Sequence, residues 1–204
     1  RKGLAGVGRL LTLDNPEGWL SGEELVGLSR DRAMKISTVN RCVELLSTSM
    51  AVLPVYIMEE GTKKRMPDHH LGRVLWERPN EAMTPFDFRR LLMCNELLRG
   101  NAYAWIYRDA GSGLPMELIP LPPDYVSMHL DLSGKVWYLF THPVTGEVTR
   151  IRCEDMLHYK AYSEDGLEGI SVLRRASLTL DTARAAQLYE NSICLLYTSD
   201  AADD

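Results

Sequence analysis

The sequence predicts an α+β domain in which helices pack on a mainly antiparallel sheet of hairpins. Three observations carry that prediction. Helical patterns with clear start and stop signals come first, between Ser37 and Gly100. From Asn101 the apolar period shortens to alternation, and the glycine turns at Gly111-Ser-Gly113 and Asp131-Leu-Ser-Gly134 divide the alternating runs into hairpins. A helical pattern then returns after Ser171, with no strand–helix–strand repeat of the kind that builds a parallel sheet.

Residues 1–36 are rich in glycine and turn residues and lack a sustained period, so they read as a loosely ordered leader arm before a domain spanning 37–192. Val39, Cys42, Val43, Leu46 and Met50 recur at helical spacing behind Ser37, which suits an N-cap. Leu53-Pro-Val-Tyr-Ile-Met58 is β-branched and aromatic and reads as a strand with Pro54 at its start. A short helix is expected from His70 to Glu77, ending before Pro79 because the residue preceding a proline avoids helical dihedrals. Thr84-Pro85 places an N-cap before a first-turn proline, and Asp87 adds an acidic residue in that turn. Phe88, Leu91, Leu92 and Leu98 line one face of this helix, and Gly100 stands where a left-handed C-cap is needed.

Ala102-Tyr-Ala-Trp-Ile-Tyr107 is apolar on both faces, as a central strand requires. Met116 to Ile119 returns beside it after the glycine turn. Tyr125 to Leu130 and Lys135 to Phe140 form a second hairpin, followed by short strands at Val148–Ile151 and Met156–Tyr159. A helix from Ser171 to Tyr189 carries Leu173, Ala176, Leu180 and Ala183 on one face.

Composition excludes several classes. The 204-residue chain is 45% hydrophobic and 25% charged with a net charge of −5, which gives no basic signature for gripping nucleic acid. Cys42, Cys94, Cys153 and Cys194 form no C-x-x-C pair, and they read as reduced thiols. No apolar run approaches the ~20 residues of a membrane-spanning helix, so no membrane partner is expected. No phosphate-binding G-x-x-x-x-G-K-[S/T] loop and no G-x-S-x-G nucleophile elbow occurs. Asp68-His69-His70 lacks a third ligand at useful spacing, so it reads as a loop or helix cap, not as a zinc site. His158 lies in an apolar strand whose alternation turns it away from Asp155, which favours a structural imidazole over a general base. Gly166-Leu-Glu-Gly169 before Ser171 reads as a loop needing glycine dihedrals, since Glu164, Asp165 and Glu168 would repel a phosphate. No catalytic, cofactor-binding or metal-ligating set is expected.

Several short stretches nevertheless stand in a specific order: Val39-Asn-Arg-Cys-Val43 with Leu53-Pro54; Arg78-Pro79-Asn80; Leu98-Arg99-Gly100-Asn101-Ala102-Tyr103; Leu118 to Pro122 with Pro120; Leu157-His158; and Asp165-Gly166-Leu-Glu-Gly169-Ile-Ser171. This ordered set, from about Ser37 to Asn191, resembles the N-terminal half of the HK97-type family of tailed-bacteriophage portal proteins. The resemblance implies a wing-like α+β region of a structural subunit, with the quoted positions acting as joints. It further implies a homo-oligomeric ring, typically a dodecamer, at one capsid vertex, with double-stranded DNA passing through its channel. The terminase large subunit, the capsid and head–tail connector proteins are the implied partners. The implied location is the virion, and the host cytoplasm during assembly. Stem, clip and crown would follow later in the family's chain. The ending Cys194-Leu-Leu-Tyr-Thr-Ser-Asp-Ala-Ala-Asp-Asp204 departs from the family pattern and reads as translated adapter sequence, so residues 193–204 are expected to be a non-native tail on a truncated portal. Two alternatives stand beside this reading: a small hydrolase using His158 with a nearby acid, and a stand-alone protein-binding module of the phage head.

Overall fold

Tyr103 and its neighbours Ala102 and Ala104 set the architecture, because one strand buries large and small side chains on opposite faces. The computed structural model describes residues 30–132 and 134–176. The elements in chain order are α1 (Arg30–Met34), α2 (Ser37–Ala51), a single π-helical turn (Arg73–Glu77), α3 (Pro85–Arg99), β1 (Asn101–Arg108), β2 (Pro115–Leu121), β3 (Val126–Leu130), β4 (Val136–Thr141), β5 (Val148–Arg152), β6 (Met156–Lys160) and α4 (Val172–Arg175).

The strands form two three-stranded antiparallel sheets, ordered β2-β1-β6 and β3-β4-β5. The α+β class holds, but the single expected sheet is divided in two. The short 3-10 turn Pro123–Tyr125 separates β2 from β3, and β6 then returns to pair with β1, Asn101 opposite Lys160. Tyr103, Ile119 and Leu121 of the first sheet bury against Tyr138, Phe140 and Ile151 of the second. The opposite face of the first sheet presents Ala102, Ala104 and Leu118 to Phe88 and Leu92 of α3 and to Val74 of the π turn. Alternation along β1 therefore serves two layers, with the alanines admitting a helix at close range and the tyrosine filling the gap between sheets.

The start and stop signals of α3 operate as the sequence implies. The Thr84 hydroxyl accepts from the Asp87 amide at 3.1 Å, Pro85 opens the helix, and Gly100 closes it at φ +81° with its amide donating to Glu96 O. Phe88, Leu92 and Leu98 are buried as read, with Asn95 among them, while Leu91 is half-buried.

Five local readings differ. The leader arm expected over 1–36 includes α1, whose Ala33 is fully buried beside Ile36, Val43, Leu98 and Leu173. A five-residue helix dominated by charge is too short to display a period, and Ala33 is its one buried side chain. Residues 1–29 lie outside the described residues, as do the tail and the helical pattern beyond Ala176. Ser37 does not cap α2: Ile36 holds the N-cap position and no side chain caps it. On α2 the buried positions are Val43, Ser47 and Ala51, which leaves Leu46 and Met50 exposed. The strand expected at Leu53–Met58 contributes only an isolated bridge, Met58 to Arg65. The helix expected from His70 is confined to the π turn, which ends on the extended Arg78 before Pro79.

Candidate functional site

Six of the singled-out positions meet where α3 passes into β1. Gly100 occupies the left-handed region, and its carbonyl accepts from the Ala161 amide at 2.9 Å. A Cβ on Gly100 would stand 2.5 Å from the Ser171 nitrogen, and one on Gly169 would overlap the Gly100 carbonyl. These two backbones touch directly, which only glycine permits.

Asn101 rivets the same two segments. Its Nδ2 donates to the Gly169 carbonyl at 2.9 Å, and its Oδ1 accepts from the Gly169 amide at 2.8 Å. The side chain thus mimics a strand partner for a residue 68 positions away. His158 Nε2 also lies 2.9 Å from Asn101 Oδ1, and because that oxygen only accepts, the imidazole must donate from Nε2. Nδ1 then accepts from the Tyr138 hydroxyl at 3.2 Å. One tautomer satisfies both ends. Burial, reinforced by Lys160, lowers the His158 pKa from 6.5 to about 4, so the ring is neutral at pH 7. Tyr103 covers it at 4.4 Å between ring centroids, and burial raises the Tyr103 phenol well above its ordinary value.

Ser171 ends the loop by accepting from the Arg174 amide at 3.1 Å, which starts α4. Gly166 adopts φ +73° within that loop, and its carbonyl accepts from Lys160 Nζ. The Asp165 carboxylate caps the Leu167 and Glu168 amides, and those bonds hold its pKa below the usual range.

Arg99 points from the same corner to a different anchor. Its Nε donates to Asp124 Oδ1 at 2.7 Å while Nη2 reaches the second oxygen, a forked pair in which the arginine side chain is 9% exposed. Nη1 adds Asn95 Oδ1 at 3.3 Å. No local sequence pattern links Asp124 to an arginine 25 residues earlier. Asn95 and Tyr138 carried no distinguishing signal at all.

Arg78, Pro79, Asn80, Pro120 and Pro122 gather at or beside β2, apart from this joint. The Pro79 carbonyl accepts from the Leu118 amide at 2.7 Å, and Asn80 Nδ2 donates to the Leu118 carbonyl at 2.9 Å. Asn80 Oδ1 takes the Ala82 amide, and Arg78 reaches the Glu81 carbonyl. Pro79 and Asn80 thereby cover the outer edge of the sheet, where Pro120, opposite Ala104, has no amide to offer. Pro122 accepts from Tyr125 at the 3-10 turn. Ala102 lies in β1, fully buried against the helical layer.

Chemically, the joint positions backbone and activates no nucleophile. Both His158 nitrogens are occupied, and Asp155, the acid nearest in sequence, is held by Arg108 at 2.7 Å. Among the described residues no cluster of three or more metal-ligating side chains occurs, and no helix is long and apolar enough to cross a membrane.

Comparison with known proteins gives consistent likenesses. The portal protein of Enterobacteria phage HK97 is 30% identical over 189 residues, covering 88% of this chain and 44% of that protein. Protein BeeE of Escherichia coli K12 is 35% identical over 101 residues, which is 48% of this chain and 63% of the relative. Among solved structures, the neck of an empty gene transfer agent particle, computed with C6 symmetry, aligns with 81% of this chain and 46% of its own at a TM-score of 0.67 and 22% identity. The crystal structure of an HK97-family portal protein from Corynebacterium diphtheriae aligns with 82% of this chain and 50% of its own, at a TM-score of 0.56 and 22% identity. The chain thus spans less than two-thirds of the length of these relatives. The family model for the phage portal protein matches residues 37–194, and with the HK97 relative this establishes that the chain belongs to the phage portal protein family, of the HK97 type.

Proposed function

We propose that this chain forms the wing region of a portal subunit, one copy of a homo-oligomeric ring at the capsid vertex. The observation that carries the reading is the joint itself. Stretches scattered from Arg99 to Ser171, drawn from the family's ordered motif set, converge on one backbone contact between Gly100 and Gly169. Such an arrangement suits a load-bearing subunit, because it locks a helix, a central strand and a long loop at one point without exposing a reactive group. Family membership and the neck particle with C6 symmetry support the ring.

In this reading the ring is a dodecamer that conducts double-stranded DNA, receives the terminase large subunit during packaging, and later binds head–tail connectors. Its place is the virion, reached through assembly in the host cytoplasm. The role is structural, and no catalytic step is assigned to it.

The test is to express the full-length polypeptide that carries these residues and image it by negative-stain electron microscopy. Rings with a central channel are expected, with the subunit number read from native mass spectrometry. A protein that remains monomeric at high concentration overturns the reading.

A further inference from the structure

The two ends of α3 carry surfaces of opposite character. Near its N-terminus lies an open groove of about 410 Å³ lined by Tyr56, Met66, Trp76 and Pro85, whose only charged lining residues among the described residues are Arg65 and Arg89. Arg65 stacks on Tyr56 at 3.7 Å and Arg89 donates to the Ala51 carbonyl. Neither forms an ion pair with a carboxylate among the described residues. One wall is the ribbon joined by the Met58–Arg65 bridge, where Ile57 O and Glu59 N bond inward to Met66 N and Lys64 O. Alternation turns the main-chain groups of Tyr56 and Met58 outward, toward the ribbon's open edge. Both side chains are exposed. A two-stranded ribbon of this kind is marginal in water without further covering.

At the C-terminal end of α3, held there by the Gly100–Gly169 contact, is the loop between β6 and α4. It presents Glu164, Asp165 and Glu168 together with the exposed apolar side chains of Tyr162 and Leu167. Lys160 within this region is engaged with the Gly166 carbonyl, and Arg175 lies over the Tyr162 ring. The 15 residues of α3 separate the two surfaces by roughly 22 Å.

An acidic, partly apolar loop at one end and a cationic, apolar groove at the other are complementary in charge and cannot meet within one copy. We infer that the 162–168 loop of one copy docks into the Tyr56–Trp76 groove of the next, giving a head-to-tail contact between subunits. Repetition of one such contact closes a ring when the rotation permits. The inference rests on the ring reading above and assigns it a surface.

Charge exchange in the full-length chain tests it. Arg65→Glu is expected to lower the ring fraction at least tenfold in sedimentation velocity, as is the pair Glu164→Lys with Glu168→Lys. Combining the exchanges in one chain, or mixing the two variants, is expected to restore rings, which a folding defect would not allow. Met58→Cys and Leu167→Cys on separate chains should then form an interchain disulfide. If wild-type rings form but the charge variants assemble normally, or the cysteines fail to join in wild-type-like rings, this surface is wrong while the ring reading stands. Wild-type chains that stay monomeric overturn both.

Discussion

Gly100 and Gly169 meet backbone to backbone: the Gly100 carbonyl occupies the space where a side chain on Gly169 would begin. The contact joins the end of α3 to the loop before α4, and its two glycines have different reasons for being glycine. Gly100 needs both a left-handed dihedral and an empty Cβ position, whereas Gly169 needs only the space.

Gly100→Ala should therefore lose stability twice over, with about 1–2 kcal/mol from the left-handed conformation alone and more from the collision with the 169–171 backbone. Gly134→Ala is the internal control, because it shares a positive φ of 79° but has open space around it. Urea denaturation of both variants should show the larger midpoint shift for Gly100.

Asn101→Ala removes both partners of Gly169 and one partner of His158. Leaving part-buried donors and acceptors unpaired costs about 1–3 kcal/mol each before water compensates. A loss of about 2–4 kcal/mol is expected by denaturant titration, together with faster amide exchange at Gly169. Unchanged exchange there would show that the loop is held by other contacts.

His158 makes stability depend on pH in a defined window. Its folded pKa of about 4 lies below the 6.5 of an unfolded histidine, so between those values the unfolded chain binds the extra proton. The contribution is complete above pH 6.5 and is lost as pH falls toward 4, with a ceiling of about 3 kcal/mol. Stability measured from pH 4.5 to 7.5 should rise with pH, and His158→Gln should flatten that rise.

Arg99 and Asp124 form the least exposed ion pair of the described residues. Arg99→Lys keeps the charge but loses the fork, and about 1–2 kcal/mol should go with it. A double-mutant cycle with Asp124→Asn should return a coupling energy of about 1–3 kcal/mol. A value near zero would mean that the pair is as solvated as an ordinary surface bridge.

What the sequence disclosed depended on how local each signal was. Thr84, Pro85 and Gly100 act within a turn of themselves, so the boundaries of α3 were readable from spacing. The alternation of β1 announced a strand buried on both faces, and the two cores on either side of it agree. Pairing was not legible, because β6 meets β1 across more than fifty residues and no local pattern records that choice. The joint was half-visible: Gly100, Asn101, His158 and Gly169 stood out individually through a resemblance, while the Asn101–Gly169 and His158–Tyr138 bonds required coordinates. Leu53–Met58 misled because β-rich composition does not supply a partner strand, and here only Arg65 answers it.

The β1–β6 pairing also sets a timetable. Its partners run from Trp105↔Met156 to Asn101↔Lys160, 51 to 59 residues apart along the chain. At synthesis rates of about 5–20 residues per second, the edge of β1 waits roughly 3–12 s for its neighbour to emerge. Throughout that interval a strand made of Ala-Tyr-Ala-Trp-Ile-Tyr stands open on one side, the kind of edge that other nascent chains can capture. The β1–β2 hairpin can form at once, but the sheet is sealed only after residue 160 has left the ribosome, and the Asn101–Gly169 rivet later still.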